Sequence, residues 1–433
     1  MQKIAILTHK TLMFPLALVL FEFSVYIANN MIQPGMLTIT QEFGASAAWM
    51  ASAMTAFLFG GALLQWLFGP LSDRIGRRPV MLGGTLLFIL SCLATLLSKS
   101  IESFILLRVI QGVGLCFITS VGYAVVQEAF EEKAAVKVTA MMANVALIAP
   151  LVGPVAGAFM IEIWPWRMVF VFIAGVSIVA FVGLLVHMPE TVRKRQGRIP
   201  LVQIWHDYGA VLSNRYFLRG ALAMPLLALP LFGWIAMSPV ILVVDAGMSA
   251  IEYGLWQIPI FGSLIAGNLL LARKTDRWRL GASINYALYP IMAGASLMLT
   301  GAALFGQVYF VIAGIALLLF GQGLAFAVLM RFTLTESLVS KGTVAAAIGM
   351  LSMLIYGFGI EIYKLLYLHF GMTGFAVLSA LTIFIYWHLS HAVARRGMSK
   401  REHTNSPDYP GSAIEACASA GYEYPCPSKQ QTS

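Results

Sequence analysis

Charge is what this sequence has least of. Asp, Glu, Lys and Arg make up 11% of its 433 residues, where a soluble domain carries about 25%. Hydrophobic residues make up 59%, too many for a watery exterior, so the solvent of this chain is read as lipid. Strand-period alternation is missing too, which excludes a membrane barrel and leaves helices. Cysteine is scarce. Cys92 and Cys116 lie in apolar stretches and Cys417 and Cys426 near the end, with no CxxC spacing, no metal-ligand pattern and no disulfide framework. No GxxxxGKS/T loop occurs, so ATP is not expected to drive the protein. No constellation of catalytic residues stands out, and the chain is not read as an enzyme. The apolar run after Lys3 and Lys10 has no small-residue cleavage site and is read as a retained first helix.

What is present is a series of uncharged stretches long enough, at about 20 residues or more, to cross a hydrocarbon core of roughly 30 Å. They fall at 12–34, 49–69, 79–98, 102–126, 136–162, 167–188, 216–244, 251–272, 282–305, 308–330, 343–366 and 372–393. The formal charge of +9 suggests nucleic acid until its carriers are located. Arg74, Arg77 and Arg78 follow the second span, and Lys133 and Lys137 the fourth. Arg193, Lys194, Arg195, Arg198 and Arg215 follow the sixth, and Arg273, Lys274, Arg277 and Arg279 the eighth. Arg331 and Lys341 follow the tenth, and Arg395, Arg396, Lys400 and Arg401 the twelfth. The alternate loops hold little beyond Lys99, Arg167 and Lys364. Such bias sets membrane topology rather than nucleic-acid binding. It puts both termini in the cytoplasm of a multi-pass membrane protein.

The expected fold is therefore all-α, twelve transmembrane helices in two six-helix halves. Residues 1–188 form the N-terminal bundle and 216–393 the C-terminal bundle. Between them lies a cytoplasmic linker at 189–215, where Ile199 to Leu212 can form an amphipathic interfacial helix. Residues 394–433, rich in Ser, Pro and Gly, read as a disordered cytoplasmic tail. The halves echo one another: Leu71-Ser72-Asp73-Arg74 follows the second span and Lys274-Thr275-Asp276-Arg277 the eighth. A repeated half with a midplane site between the repeats is a transporter design.

Single residues then carry the chemistry. Glu22 falls near the middle of the first span, where a charge costs about 2.5–3.5 kcal/mol on insertion scales. A carboxyl kept at that cost is read as a group that takes up and gives up a proton. Tyr26 and Asn29 share its helical face, which makes that face polar and suited to line a cavity. Arg108, in the fourth span, cannot readily discharge and so needs water, a carboxylate or carbonyls. Glu361 and Lys364, three apart near the outer end of the eleventh span, are expected to pair with each other. Flexible methionines and flat aromatics suit a promiscuous apolar pocket.

Three motifs bring a family into view. Gly69-Pro70-Leu71-Ser72-Asp73-Arg74-Ile75-Gly76-Arg77-Arg78 resembles the GxxxDRxGRR loop of the major facilitator superfamily. Arg108-Val109-Ile110-Gln111-Gly112 is similar to its RxxQG motif, and Pro150, Gly153, Pro154 and Gly157 resemble the Gly/Pro motif of its antiporter branch. Phe21-Glu22-Phe23, Tyr26 through Met36, Met142 through Pro150 and Gln257 through Gly262 are similar to the bacterial multidrug facilitators of that branch and their chloramphenicol-exporting relatives.

The resemblance implies proton-coupled export of lipophilic drugs, neutral or singly cationic, chloramphenicol among them. It implies a monomer in the bilayer, with protons as coupling ion and no other cofactor. Glu22, Arg108 and Gln111 would couple the proton. Glu22, Tyr26, Asn29, Asn30, Met54, Met142, Ala146, Leu231, Phe232, Ile235, Tyr253 and Gln257 would meet substrate. Gly69, Asp73, Arg74, Gly76, Arg77, Arg78, Pro150, Gly153, Pro154 and Gly157 would gate, with Asp73 docked at the start of the eleventh span near Thr343, where the helix dipole favours an anion. The branch carries a second membrane acid where this chain has Asn30, so about one proton per cycle is expected. A symporter or facilitator for a sugar or other metabolite is the rival on the same fold. A sugar site needs more polar side chains along the cavity than this chain offers.

Overall fold

The structure is a computed structural model that describes residues 9–192, 201–274, 277–278, 281–337 and 341–404. Cys417, Cys426, Arg193, Lys194, Arg195 and Arg198 lie outside the described residues. The described helices are α1 (His9–Asn30), α2 (Met36–Glu42), α3 (Ala48–Leu63), α4 (Gln65–Ile75), α5 (Arg77–Ala94), α6 (Ile101–Phe117), α7 (Tyr123–Ala129), α8 (Glu132–Ile163), α9 (Arg167–His187), α10 (Leu201–Ser213), α11 (Arg215–Ser238), α12 (Ala250–Lys274), α13 (Ala282–Thr300), α14 (Val308–Leu334) and α15 (Lys341–Thr404). Among the described residues, nine helices are long and apolar enough to cross a membrane, or eleven if each of two bent pairs is one crossing.

The bends have local causes. α3 and α4 meet at 42° around Leu64, just past the Gly60–Gly61 pair. α8 bends by 41° between Ala146 and Ile148, where Pro150 leaves the carbonyl four residues back without its helical donor. α15 contains one break, Gly371, at φ 58° and ψ −145°. A continuous helix would hold residues sixteen apart at about 24 Å, yet the Tyr363 and Ser379 hydroxyls lie 2.9 Å apart. The chain therefore reverses at Gly371, and the 53-residue apolar stretch Thr343–Arg395 is a hairpin of two limbs. A side chain at φ near +60° is disfavoured, which suits glycine there.

α1 packs on α8 and α9, α5 on α6 and α9, and α3 on α6. In the second half α11 packs on α15, α13 on α14, and α12 on α14. The halves meet chiefly at two places, α3 with the first limb of α15 and α8 with α12. These are the second span of one half against the fifth of the other, twice over, which is the reciprocal pattern a two-fold repeat requires.

Two segments differ from expectation. The motif expected as a loop is helical from Gly69 to Ile75, because α4 continues the second span and only Gly76 turns the chain. The helix of α15 also continues to Thr404, beyond the expected start of the tail at residue 394. α10, inside the expected linker, buries Tyr208 and Val211 and leaves Val202 and Trp205 exposed. Trp205 meets Trp66 of α4 with ring centres 5.7 Å apart.

Candidate functional site

Arg108 of α6 is fully buried. Its guanidinium donates to the Ala28 carbonyl at 3.2 Å, to Gln111 Oε1 at 2.8 Å and to Asn29 Oδ1 at 2.8 Å, and it stands 4.7 Å from the Phe57 ring centre. Gln111 passes the network on, donating to Thr95 Oγ1 at 2.9 Å and to the Ser91 carbonyl at 3.4 Å. None of these partners is an acid. Ala28 and Asn29 belong to the last turn of α1, and the carbonyl end of a helix carries the negative pole of its dipole, which favours a cation. The fork of Arg108 thus ties α6 to the end of α1 while its charge rests on dipoles and a ring face.

Glu22 lies on α1 two turns before that end and is 1% exposed. It does not bond Arg108. Its Oε1 accepts from the Tyr123 hydroxyl at 3.5 Å and its Oε2 has no hydrogen-bond partner. Tyr123 follows a π-helical turn, Ile118–Gly122, which shifts the face that α7 presents. Tyr26 stands within electrostatic reach of Glu22 and of Tyr356 on α15, and Tyr356 stacks on Phe232 with ring centres 3.9 Å apart. Glu22, Tyr26 and Tyr123 of the first half thus lie, through Tyr26, within electrostatic range of the Tyr356–Phe232 stack of the second. Asn30 donates from Nδ2 to the Tyr26 carbonyl at 2.8 Å, and its Oδ1 is buried without a partner.

Met54, Met142, Leu231 and Ile235 are buried and Ala146 is half-buried. Tyr253 and Gln257 of α12 are buried and engaged with α11: Trp234 donates to Gln257 Oε1 at 2.9 Å and Ser238 to the Tyr253 hydroxyl at 3.3 Å. In this conformation their polar atoms serve the packing of α11 on α12.

At one end of the first half, the motif residues build a charged joint. Arg77 is buried and bonds Asp73 at 2.5 Å, Ser72 Oγ at 2.6 Å and Glu128 at 2.8 Å. Arg74 is exposed, and Arg78 donates to the Leu185 carbonyl at 2.5 Å. Glu190 caps α5, accepting from the backbone amides of Arg77 at 3.0 Å and Arg78 at 3.2 Å. That carboxylate explains Gly76, which has φ 110° and where an added Cβ would sit 2.4 Å from Glu190 Oε2. No such reason holds at Gly69, where an added Cβ meets nothing within 4 Å.

The family model of the Major Facilitator Superfamily matches residues 18–362. The chain belongs to the major facilitator superfamily. It is 49% identical over 392 residues to "Multidrug transporter MdfA" of Yersinia pestis bv. Antiqua, covering 90% of this chain and 96% of that protein. The proteins of the same name from Edwardsiella piscicida (50% over 359 residues; 83% and 88%) and Escherichia coli O6:H1 (49% over 389 residues; 88% and 95%) are similarly alike. Among solved structures, the fold resembles an inward-facing bacterial homologue of the human lysosomal transporter Spinster, with a TM-score of 0.67 at 16% identity, covering 91% of this chain and 98% of that one. It also resembles the human organic anion transporter MFSD10, with a TM-score of 0.62 at 19% identity and coverage of 88% and 98%.

Within this facilitator fold, α8 faces two ways. A Cβ at Gly157 would sit 1.9 Å from the Met31 carbonyl and one at Gly153 2.7 Å from Asn30 Cβ, so both glycines let α8 lie against the end of α1. Pro154, Val155 and Ala158 instead face Gly254 of α12 in the other half, where an added Cβ would come within 3.4 Å of each. Pro150 is half-buried, one turn before Gly153 and Pro154. Sequence reading missed Tyr123, Tyr356, Glu128 and Glu190. Glu128 and Glu190 carried a usable signal, being acids among basic loops. Tyr123 and Tyr356 had none, because aromatic residues are frequent in every span.

Proposed function

We propose that this transporter exports lipophilic drugs, neutral or singly cationic, across the bacterial inner membrane in exchange for protons. Twelve crossings with both termini in the cytoplasm, no cofactor beyond the proton and no enzymatic step belong to the same reading. The drug class is supported by relatives about half identical to this chain that are named multidrug transporters. The single observation that carries the coupling is Glu22, a buried carboxyl that accepts from Tyr123 through one oxygen and has the other unpartnered.

An unpartnered buried polar oxygen is costly, by about 1–3 kcal/mol or more for a charged group. A proton relieves that cost and so does a cationic or hydrogen-bonding drug, so proton and drug exclude one another. Reciprocal linkage then makes each release the other. With the halves rocking about a central site, Glu22 loses its proton to the cytoplasm as drug enters and regains one from outside as drug leaves. Arg108 acts at a distance, fixing the α1 end through Ala28 and Asn29. With Asn30 in place of a second acid, about one proton enters per drug. Export of a neutral drug is then helped by the membrane potential, by about 2.3 kcal/mol per 100 mV. Monocation export moves no net charge, and dications are poor substrates.

The test is a drug-resistance panel, chloramphenicol included, in an efflux-deficient bacterium. Wild type protects against several lipophilic drugs and Glu22→Gln against none. Equal protection by both, or proton-stimulated uptake of a metabolite instead, contradicts the proposal.

A further inference from the structure

The charged pair Glu361–Lys364 lies on the first limb of α15, about twenty residues from its start, and hence at the end of the bundle opposite the Asp73–Arg78 joint. The two groups form an ion pair on one helix face, and a pair within one helix holds nothing to anything else. Ser52 of α3, in the other half, changes that. Its hydroxyl donates to Glu361 Oε1 at 3.1 Å and accepts from Lys364 Nζ at 2.9 Å, using both of its capacities across the seam. The seam continues away from it through apolar contacts. The Phe59 ring lies edge-on to Phe358 at 5.1 Å. A Cβ at Gly357 would touch Phe59, and one at Gly61 would touch Met353 Sδ at 2.9 Å. The Gln65 side chain lies over Gly349. Ser52 is therefore one polar end of the seam, with apolar contacts between it and the Gln65 amide. The other main contact between halves, Gly254 against Pro154, Val155 and Ala158, involves the first turns of α12.

We propose that Ser52, Glu361 and Lys364 are gating residues, a reversible clasp that holds this end of the transporter shut and parts when it opens outward. The proposal rests on the alternating-access reading above. The chemistry suits repeated opening. When α3 leaves α15, Glu361 and Lys364 still neutralise each other and all three groups meet water, so no lone charge is exposed. A stronger device, with the two charges on opposite halves, would be slower to part. A hydroxyl can be lost without disturbing the pair, which makes Ser52 the position to test.

The experiment places spin labels at Ser46→Cys and Ala246→Cys, exposed positions at this end on the two halves. The full chain is used in proteoliposomes, with Cys417 and Cys426 replaced by serine and the buried Cys92 and Cys116 kept. Distances are measured with and without chloramphenicol at two pH values. Ser52→Ala should raise the ratio of long to short distances by about tenfold, the size expected for losing hydrogen bonds to charged groups. Ser52→Thr, which keeps the hydroxyl, should restore it. Identical distributions for Ser52→Ala and wild type overturn the clasp alone if wild type shows both distances. A single short distance in every sample overturns the clasp and alternating access together. Neither readout depends on Glu22, so loss of proton coupling fails separately.

Discussion

Replacing Gly157 with alanine tests the packing of α8 on the substrate-side end of α1. The added Cβ would fall 1.9 Å from the Met31 carbonyl oxygen. Carbon and carbonyl oxygen in contact stay about 3.3–3.6 Å apart, so one of the two helices must retreat by about 1.4 Å. The obstacle is backbone, not the tip of a flexible side chain, and α1 is held in place by Arg108. α8 is therefore the helix that moves. Overpacking of this kind costs about 1–3 kcal/mol, occasionally more. The assay is reversible unfolding in detergent, with two controls graded by the structure. Gly153→Ala meets Asn30 Cβ at 2.7 Å and the Asn30–Met31 backbone only at 3.3 Å, and should cost less; Gly69→Ala meets nothing within 4 Å and should be near neutral. Displacing α8 also disturbs its contact with Gly254, so passive proton leak through liposomes should rise for Gly157→Ala. Equal stability and leak for Gly157→Ala and Gly69→Ala would refute the packing described here.

Three further outcomes are expected. Arg108→Lys keeps the charge but loses the fork that reaches Ala28, Asn29 and Gln111 at once; at least one buried acceptor is left unpaired, costing about 1–3 kcal/mol in detergent unfolding and most of the transport. Gly76→Ala forces a Cβ into φ 110° and against Glu190, so the α5 cap is lost at about 0.5–2 kcal/mol or more, while Glu190→Gln, which can still accept, costs less in the same assay. Asn30→Asp restores a second acid and should raise the proton-to-drug ratio from about one toward two, seen as ethidium export driven by membrane potential without a pH gradient, which wild type should not perform.

The sequence placed the apolar stretches well because uncharged length is a strong local signal. It located the motif residues because their order is fixed. What it did not reveal depends on contacts between distant segments. The apolar stretch around Gly69 looked like the end of a span, and only packing shows α4 continuing to Ile75. The π-helical turns at Ile118–Gly122, Pro239–Asp245 and Gly301–Phe305 leave no periodicity a reader can follow, so the meeting of Tyr123 with Glu22 was not visible. Arg108 was expected to need water, a carboxylate or carbonyls, and only the fold shows that it rests on the Ala28 carbonyl and two side-chain amides, where the end of α1 supplies the negative pole. Asp73 was expected near Thr343; its ion pair is with Arg77, one turn away. Glu361 and Lys364 pair as expected, but Ser52, 309 residues from Glu361, could join them only through the fold.

The most direct measurement is drug-driven proton movement in proteoliposomes holding wild type or Glu22→Gln, with drug binding measured alongside. Wild type should release about one proton for each neutral drug molecule bound and exchanged. Glu22→Gln should still bind neutral drug and move no protons with it. Undiminished proton movement by Glu22→Gln would remove that carboxyl from the mechanism.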